Sequence, residues 1–429
     1  MAWADVSGPL AAGIAELAAL PPVARRSDPQ RAVAAAVHER CRAVRAAFMR
    51  DHGDDVHATL TEDGRLPMRL DALLDAAAVR FPGLVPDRAA LAAERSAPQR
   101  AKEGWEVDQG IFAWGLLRST RAGTAVITDM LRPTVTAERL LSEFRGADRL
   151  DLGTVTIERH GPAAHVTLAN GAVLNAEDDS LVADLETAVD LALLDDRIAV
   201  GVLRGGVVSH PKHRGRRIFC AGINLTHLYE GKISFADFLL RRELGPLNKI
   251  MRGIETGSPA GLGDLGGRRE KPWIAVVDGF AIGGGMQMLL VVDHVIADEG
   301  VYFSLPAVRE GIVPGVANLR LSRRLGPRAA RQVLLGGRRI DAAEDVARQI
   351  CDQVVPAEAI DQAVDRAVDG LQSSAVVANR RMLHLSEEPL DRFRDYLAAF
   401  SIEQAQRLYH DDVLDTIERH WIKRNEAST

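Results

Sequence analysis

Two glycine-rich segments contain the residues whose types and spacing could do chemistry. The first is RRIFCAGINL, residues 216–225, and the second is KPWIAVVDGFAIGGGMQM, residues 271–288. Each is typical of a strand that runs through a turn of small residues into a helix. The first backbone N–H groups of a helix have no partner within it, and such donors stabilise the negative charge of an enolate made from a thioester. We predict that the N–H groups of Ile223 and Gly284 form this donor pair.

A run of three glycines alone is weak evidence, because an ordinary strand-to-helix turn explains many such runs. Gly283–Gly285 also lacks the spacing and the downstream acid of a dinucleotide-binding fingerprint. The interpretation therefore depends on the two segments together, in this order, behind a hairpin.

The elements that position these segments alternate between strands and helices from about residue 151 onward. TVTIERHGPAAHVTLAN predicts a hairpin, SLVADLETAVDLALL a helix, and IAVGVLRGG, KPWIAVVDGF and HVIADEG predict strands. This alternation is typical of an α/β fold. After about residue 338 the pattern predicts only helices.

The residues before this α/β region have a different character. Runs such as AAGIAELAAL and QRAVAAAVHERCRAVRAAFMR carry apolar residues three and four apart, with breaks predicted at Pro21, Pro22, Gly53, Pro82 and Pro86. We predict three domains: a helical N-terminal domain at residues 1–149, an α/β core at 150–340, and a C-terminal helical region at 341–429 that serves assembly and covers the active site.

Composition excludes several classes of function. A net charge of -6 argues against nucleic acid as a partner. No uninterrupted run of about 18 apolar residues occurs, so we expect no membrane span. The three cysteines lie far apart, without a CxxC pair, which predicts a reducing, cytoplasmic location and no thiolate metal site.

Four collinear motifs resemble the crotonase (enoyl-CoA hydratase/isomerase) superfamily. They are LANGAVLNAEDDSL, FCAGINL, GFAIGGGMQM and FSLPAVREGIVPG. The resemblance implies a spiral core of ββα units, assembly into homo-oligomers (trimers or hexamers) and coenzyme A bound in a bent shape. It places the oxyanion hole on Ile223 and Gly284, with contacts to the substrate or CoA from Ala221, Gly222 and Asn224.

The departures from the family pattern indicate which reaction remains. Hydratases of the family use two glutamates, and this chain has Gln287 and Ala307 in their places. An amide does not take up a proton near neutral pH, and alanine cannot take part in proton transfer, which argues against addition of water across a double bond. Gln287 is instead a candidate to lie near the thioester or a nascent peroxide; a buried amide satisfied by its neighbours is the alternative.

The chain also resembles one branch of the superfamily, the cofactor-independent dioxygenases of glycopeptide antibiotic pathways. The long helical extension, the INL segment, the GGGMQM segment and the insertion VVSHPKHRGRR carry this resemblance. It implies that an aryl-acetyl-CoA, 3,5-dihydroxyphenylacetyl-CoA, reacts with O2 to give 3,5-dihydroxyphenylglyoxylate, a precursor of dihydroxyphenylglycine, and free CoA. It implies no metal and no cofactor, since CoA is part of the substrate and O2 the co-substrate.

This branch assigns further candidates. Leu225, Ile312 and Val413 are predicted to form an apolar oxygen pocket, for which ordinary core packing is the alternative. Glu177 is a candidate to bind a ring hydroxyl or act as base, unless it is a solvated member of the EDD run.

Basic residues complete the predicted site. Arg242 is a candidate for substrate binding, although helical spacing allows at most one of Arg241 and Arg242 to point inward and solvent exposure is the expected state of either. In the insertion, CoA phosphates or the substrate could be bound by His210, Lys212 and His213, together with Arg214. The alternative for this group is a basic surface loop.

Other functions stay open. His52 and Asp54 have the HxD spacing of a non-haem iron site, but the segment is predicted to lie between helices rather than in a β-barrel, and we assign no metal. His294 and His384 have no partner at ligand spacing. The alternatives to a dioxygenase are another acyl-CoA isomerase, a thioester hydrolase, and an inactive acyl-CoA-binding scaffold.

Overall fold

Seven α-helices precede the first strand in the computed structural model, which describes residues 3–257 and 267–426. They are α1 (Trp3–Ala18), α2 (Asp28–Leu60), α3 (Leu70–Arg80), α4 (Arg88–Arg95), α5 (Glu106–Leu117), α6 (Thr120–Met130) and α7 (Val135–Ala147). A capping box of Ser27 and Gln30 begins α2. The helical character predicted for this part of the chain is confirmed.

The break predicted at Gly53 is wrong, because α2 continues through it for 33 residues in all. A methyl group on Gly53 would lie 2.6 Å from the carbonyl oxygen of Gly115 in α5. The glycine therefore serves the close crossing of two helices rather than a turn. It follows that His52 and Asp54 lie within a helix and not between helices.

A seven-stranded sheet forms the centre of the α/β part. Twelve strands are described: β1 (Arg149–Asp151), β2 (Val155–His160), β3 (Ala163–Leu168), β4 (Val200–Gly205), β5 (Ile254–Glu255), β6 (Arg268–Arg269), β7 (Trp273–Val277), β8 (Phe280–Ile282), β9 (His294–Asp298), β10 (Tyr302–Ser304), β11 (Ile340–Asp341) and β12 (Gln353–Val355). The order in the large sheet is β1-β2-β3-β4-β7-β9-β12, antiparallel up to β3 and parallel from β3 onward. The predicted hairpin and the three predicted strands are confirmed.

A smaller sheet of β11, β10 and β8 stands beside the glycine-rich turns. The helices of this region are α8 (Asp179–Leu194), α9 (Leu225–Tyr229), α10 (Arg241–Leu244), α11 (Pro246–Arg252), α12 (Gly284–Met288), α13 (Ala307–Glu310) and α14 (Ala317–Leu334, kinked at Gly326). A π-helix (Phe235–Leu240) runs directly into α10.

The end of the chain is helical, with α15 (Ile360–Leu371), α16 (Ser374–Glu387), α17 (Leu390–Arg407) and α18 (Asp411–Glu426). The prediction of helices alone after residue 338 is wrong in part, because β11 and β12 precede α15. β12 adds a parallel edge to the sheet through Val354, opposite Ala297 of β9. A strand of three residues is too short to show a period.

Two large hydrophobic cores result from this arrangement. One lies between the seven-stranded sheet and α8, and the other joins the N-terminal helices to the π-helix and to α17. The N-terminal helices therefore pack directly on the elements that enclose the site described next. Within the described ranges, no helix is long and apolar enough to cross a membrane.

Candidate active site

Backbone pairing brings the two glycine-rich segments together. Cys220 forms a parallel bridge to Ala281. Glu177 also pairs with the first glycine-rich segment. The Glu177 N–H donates to the Gly222 carbonyl over 2.7 Å, and the Glu177 carbonyl accepts from the Asn224 N–H over 2.8 Å. A methyl group on Gly222 would lie 3.4 Å from the Gly284 nitrogen. Residues distant in sequence thus form one wall of small residues.

The two predicted donors are free in this wall. Among the described residues, neither the Ile223 N–H nor the Gly284 N–H donates a hydrogen bond to another group. Gly284 is the first residue of α12, so no helical partner exists for its N–H. Both residues line the same cavity. The geometry can therefore accept a carbonyl oxygen that gains negative charge.

This cavity has a volume of about 70 Å³ and is partly open to solvent. Nine of the predicted site residues line it: Glu177, Ala221, Gly222, Ile223, Leu225, Arg242, Gly284, Gln287 and Ile312. Apolar side chains of Phe238, Leu239 and Phe400 also line it.

Arg242 is the centre of the polar wall. It is 4% exposed, which corrects the expectation that solvent exposure is its normal state. Its Nε donates to Glu177 Oε1 over 2.7 Å, and its Nη1 donates to Glu243 Oε1 over 2.6 Å and to Gln287 Oε1 over 3.0 Å. Its Nη2 donates to the Gly284 carbonyl over 2.8 Å. The guanidinium thus ties the oxyanion turn to three side chains.

Burial and charge oppose each other in this cluster. Glu177 is 1% exposed, so it is not a solvated residue of the EDD run. Burial raises the pKa of Glu177, and Arg242 offsets only part of that effect. Burial lowers the pKa of Arg242, but the neighbouring carboxylates Glu177 and Glu243 outweigh it and the pKa is raised. Arg242 therefore stays charged.

The orientation of Gln287 follows from this arginine. A guanidinium only donates, so the group of Gln287 that meets Arg242 must be the amide oxygen. The amide Nε2 then points away from Arg242 and forms no hydrogen bond to another described residue. Gln287 can therefore donate a hydrogen bond into the cavity that it lines.

Other predicted residues lie outside the cavity wall. The Asn224 side chain caps α9 at the His227 N–H and donates to Asp178, which is a structural role. Val413 is fully buried behind Gly311, whose added methyl group would lie 2.7 Å from it.

The basic insertion stands apart from the oxyanion turn. Lys212 and His213 line a second cavity with Arg216 and Arg339, and His210 lines neither. The rings of Phe280 and Tyr302 form part of this second cavity.

Two acidic residues of the site were not predicted from the sequence. Glu243 lies in α10 against Arg242, and Glu310 lies at the end of α13; both line the cavity. Glu243 could have been found by its position next to Arg242. Glu310 stands in the VREGIV segment with no neighbouring charge pattern that singles it out.

The described residues contain no group of three or more His, Cys, Asp or Glu side chains that could hold a metal ion. Nδ1 of His52 lies 3.2 Å from an Asp55 carboxylate oxygen. Nε2 of His294 lies 3.1 Å from the Gln353 amide nitrogen, and His384 lies 3.9 Å from Asp293. These histidines do not converge on the cavity.

Comparison with known proteins identifies the family of the chain. Residues 267–402 match the Enoyl-CoA hydratase/isomerase family model. The (3,5-dihydroxyphenyl)acetyl-CoA 1,2-dioxygenase of Amycolatopsis orientalis is 50% identical over 398 residues, which are 93% of this chain and 91% of the relative. Carnitinyl-CoA dehydratase of Citrobacter koseri is 30% identical over 61% of this chain and 91% of the relative.

Solved structures support the fold. An enoyl-CoA hydratase of Mycobacterium avium subsp. paratuberculosis superposes with a TM-score of 0.51 at 20% identity, covering 63% of this chain and 99% of that one. An enoyl-CoA hydratase of Bacillus halodurans gives a TM-score of 0.50 at 19% identity over 62% and 100% of the two chains. The crotonase-like α/β core with helical ends is thus confirmed, and the chain belongs to the enoyl-CoA hydratase/isomerase family.

Proposed function

We propose that this protein is a dioxygenase that converts (3,5-dihydroxyphenyl)acetyl-CoA and O2 into 3,5-dihydroxyphenylglyoxylate and free CoA, without a metal or an organic cofactor. The observation that carries the proposal is the pair of free N–H groups on Ile223 and Gly284 beside a cavity wall built on Arg242. The 50% identical relative of that name supports the choice of substrate.

The reaction begins with loss of a proton from the carbon between the ring and the thioester. The electron pair of that C–H bond moves to the carbonyl oxygen, where the two N–H groups stabilise it. The enolate passes one electron to O2, and the two radicals combine to a peroxide at the α-carbon. Attack of the peroxide on the thioester carbonyl expels CoA. Loss of the second α-proton, with its C–H electron pair forming the new C=O bond as the O–O bond breaks, leaves the keto acid.

The polar wall suits a dihydroxyphenyl ring. Glu177 presents a second carboxylate oxygen that can accept from a ring hydroxyl, and Gln287 presents a free amide N–H. Arg242 donates four of its five N–H groups to the protein, so its main role is to hold Glu177 and Gln287 in place. We assign ring binding to the carboxylate and the amide.

The apolar wall suits O2. Leu225 and Ile312 are half-buried and line the cavity, as do the apolar side chains of Phe238 and Phe400. Val413 does not line the cavity but packs behind its wall, where it fills the space next to Gly311. These residues give the oxygen niche, and they keep water from the peroxide.

The distal end of CoA and the assembly belong to the same proposal. Lys212 lines a cavity together with Arg216 and Arg339, three cations that fit phosphate groups, and His213 lines it as a hydrogen-bonding group. His210 lies outside this cavity, with its ring 6.4 Å from that of His213. The exposed apolar side chains of Met382, Leu383 and Leu385 on α16 support a homo-oligomer. A cytoplasmic location stays a prediction; Cys41, Cys220 and Cys351 are all unpaired.

The experiment that tests the proposed function is O2 uptake by chelator-treated protein supplied with (3,5-dihydroxyphenyl)acetyl-CoA, with release of free thiol followed in parallel. We expect one O2 consumed for each thiol released, because a single peroxide both incorporates the oxygen and breaks the thioester. Thiol release without O2 uptake would show a hydrolase. Binding of the thioester without uptake, thiol release or α-proton exchange would show a scaffold.

Gln287→Glu tests whether the amide donates into the cavity. The new carboxylate can still accept from Arg242, so the protein should fold, but it cannot donate and it adds a third acid to the Glu177 and Glu243 pair. We expect kcat to fall by about 10- to 100-fold, the range for loss of one donor to a charged group. The measurement is steady-state O2 uptake, with thermal unfolding as the control; an unchanged kcat would remove Gln287 from the site.

A further inference from the structure

Glu310 differs in its surroundings from the other acids of the cavity. The acids that line the cavity are Glu177, Glu243 and Glu310. Arg242 donates to the first two over 2.7 and 2.6 Å, whereas the Glu310 carboxylate forms no ion pair or hydrogen bond to another described residue. The site thus has two acids fixed by a cation and one that is free.

The position of Glu310 is fixed even though its carboxylate is free. It is the last residue of α13, where its N–H donates to Pro306, and the turn that follows is closed by the Ile312 N–H to the Ala307 carbonyl over 3.0 Å. Ala307, Glu310 and Ile312 all line the cavity. The free carboxylate therefore shares the cavity with the two N–H donors and with the apolar wall.

Charged groups on the neighbouring elements do not neutralise Glu310. Arg407 of α17 donates to the Gly311 carbonyl and pairs with Asp412 of α18, so its charge is already engaged. Across the cavity, Arg242 is engaged by Glu177 and Glu243. Burial is the one cause that shifts the pKa of Glu310, and it raises that pKa toward the pH at which a base works best.

We infer that Glu310 is the general base that removes the α-proton of the thioester substrate. In this step the C–H bond breaks, its electron pair becomes the enolate, and the proton bonds to a carboxylate oxygen of Glu310. The negative charge moves from Glu310 to the carbonyl oxygen held by the Ile223 and Gly284 N–H groups. The inference rests on the proposed function, since it names the base for that reaction.

Glu177 and Glu243 suit this role less well. A proton on either of them would remove one partner of the buried Arg242, so proton uptake would oppose the ion pair. Glu243 also lies 3.8 Å from Arg320, a second cation that favours its charged form. Glu310 loses no ion pair when it takes up the proton.

The test is exchange of the α-proton with D2O under anaerobic conditions, measured by NMR on (3,5-dihydroxyphenyl)acetyl-CoA with wild type, Glu310→Gln, Glu310→Asp and Glu358→Gln. Gln keeps the shape of Glu310 but cannot take up a proton. We expect E310Q to slow exchange by about 10²- to 10⁴-fold, the usual contribution of a general base. Affinity for the thioester should remain, and the exposed Glu358 serves as a matched control.

The pH profile separates a base from a structural residue. Wild-type kcat/KM should fall as the pH decreases through the raised pKa of Glu310, because the protonated acid cannot accept the proton. E310D should recover part of the exchange and shift this acidic limb. Exchange in E310Q at the wild-type rate, in an enzyme that consumes O2, would overturn the assignment of the base alone. Wild-type protein that neither exchanges the proton nor consumes O2 would overturn the proposed function and this inference together.

Discussion

Gly284→Ala should abolish turnover, because the site has no room for a methyl group at this residue. The added carbon would lie 1.5 Å from Glu177 Oε2 and 3.0 Å from Arg242 Nη2. Glu177 would have to leave, which breaks its 2.7 Å hydrogen bond with Arg242. The Gly284 N–H would shift with the backbone, and loss of one oxyanion donor alone costs about 10²- to 10³-fold in kcat. We expect a decrease in kcat of at least about 10³-fold.

Gly146→Ala is the matched control for this variant. Gly146 is exposed in α7, and nothing lies within 4 Å of a methyl group placed there. It should leave turnover unchanged and raise stability slightly, by about 0.4–1 kcal/mol. Steady-state O2 uptake and thermal unfolding of both variants are the measurements. A Gly284→Ala enzyme with wild-type kcat would contradict the assignment of the oxyanion hole.

The oxyanion turn could be predicted because its signal is local. A helix start after a strand and a small-residue turn leaves the Gly284 N–H without a helical partner. Ile223 precedes Asn224, the N-cap of α9, so its place in the same kind of turn was predictable but the free state of its N–H depends on tertiary packing. The hairpin and α8 were predictable for the same reason, because apolar residues that recur every two or every 3.6 positions are visible in the sequence itself.

The burial of Arg242 could not be predicted from local sequence patterns. The π-helix before α10 has more residues per turn than an α-helix. The spacing of an α-helix therefore does not predict which arginine, Arg241 or Arg242, faces the cavity. Burial of Arg242 depends on Glu177 and Gln287, which are 65 and 45 residues away in the chain. Glu310 could not be predicted as a cavity acid, because its distinguishing property is that no residue in the described part of the chain pairs with its carboxylate in three dimensions.

Tertiary packing also explains the two errors in the fold. Gly53 has poor intrinsic helix propensity, yet α2 continues through it. The close crossing of α2 and α5 at Gly115 requires a small residue at this position, so the glycine is explained by helix packing and not by a turn. β12 forms because the edge of β9 offers unpaired backbone groups to Val354 and its neighbours.

Arg242→Met should both inactivate and destabilise the protein, whereas Arg241→Met should do neither to the same degree. Removal of Arg242 leaves the carboxylates of Glu177 and Glu243 buried without their main partner. Breaking a buried ion pair in this way costs about 3–5 kcal/mol in the free energy of unfolding. The oxyanion turn also loses the 2.8 Å hydrogen bond at the Gly284 carbonyl, so kcat should fall by at least about 10²-fold.

Arg241 is a close control because it is the adjacent residue and also binds a buried acid. Its partner, Glu186, keeps Arg69 at 2.6 Å and Lys249 at 2.8 Å when Arg241 is removed. Burial raises the pKa of Glu186, but Lys249, Arg69 and Arg241 together lower it to about 2. Two cations remain in the variant, so the acid stays charged and paired. Equal losses of unfolding free energy in both variants would contradict this account.

The stability lost in Arg242→Met should depend on pH. In Arg242→Met, the folded-state pKa of Glu177 is raised by burial with no opposing cation, while in the unfolded chain it keeps its ordinary value. Between these two values the folded variant holds a proton that the unfolded chain releases, so its free energy of unfolding falls as the pH rises. The gap between wild type and Arg242→Met should therefore widen from acidic to neutral pH in urea titrations. A gap that is constant with pH would mean that Arg242 stabilises the fold through packing rather than through its charge.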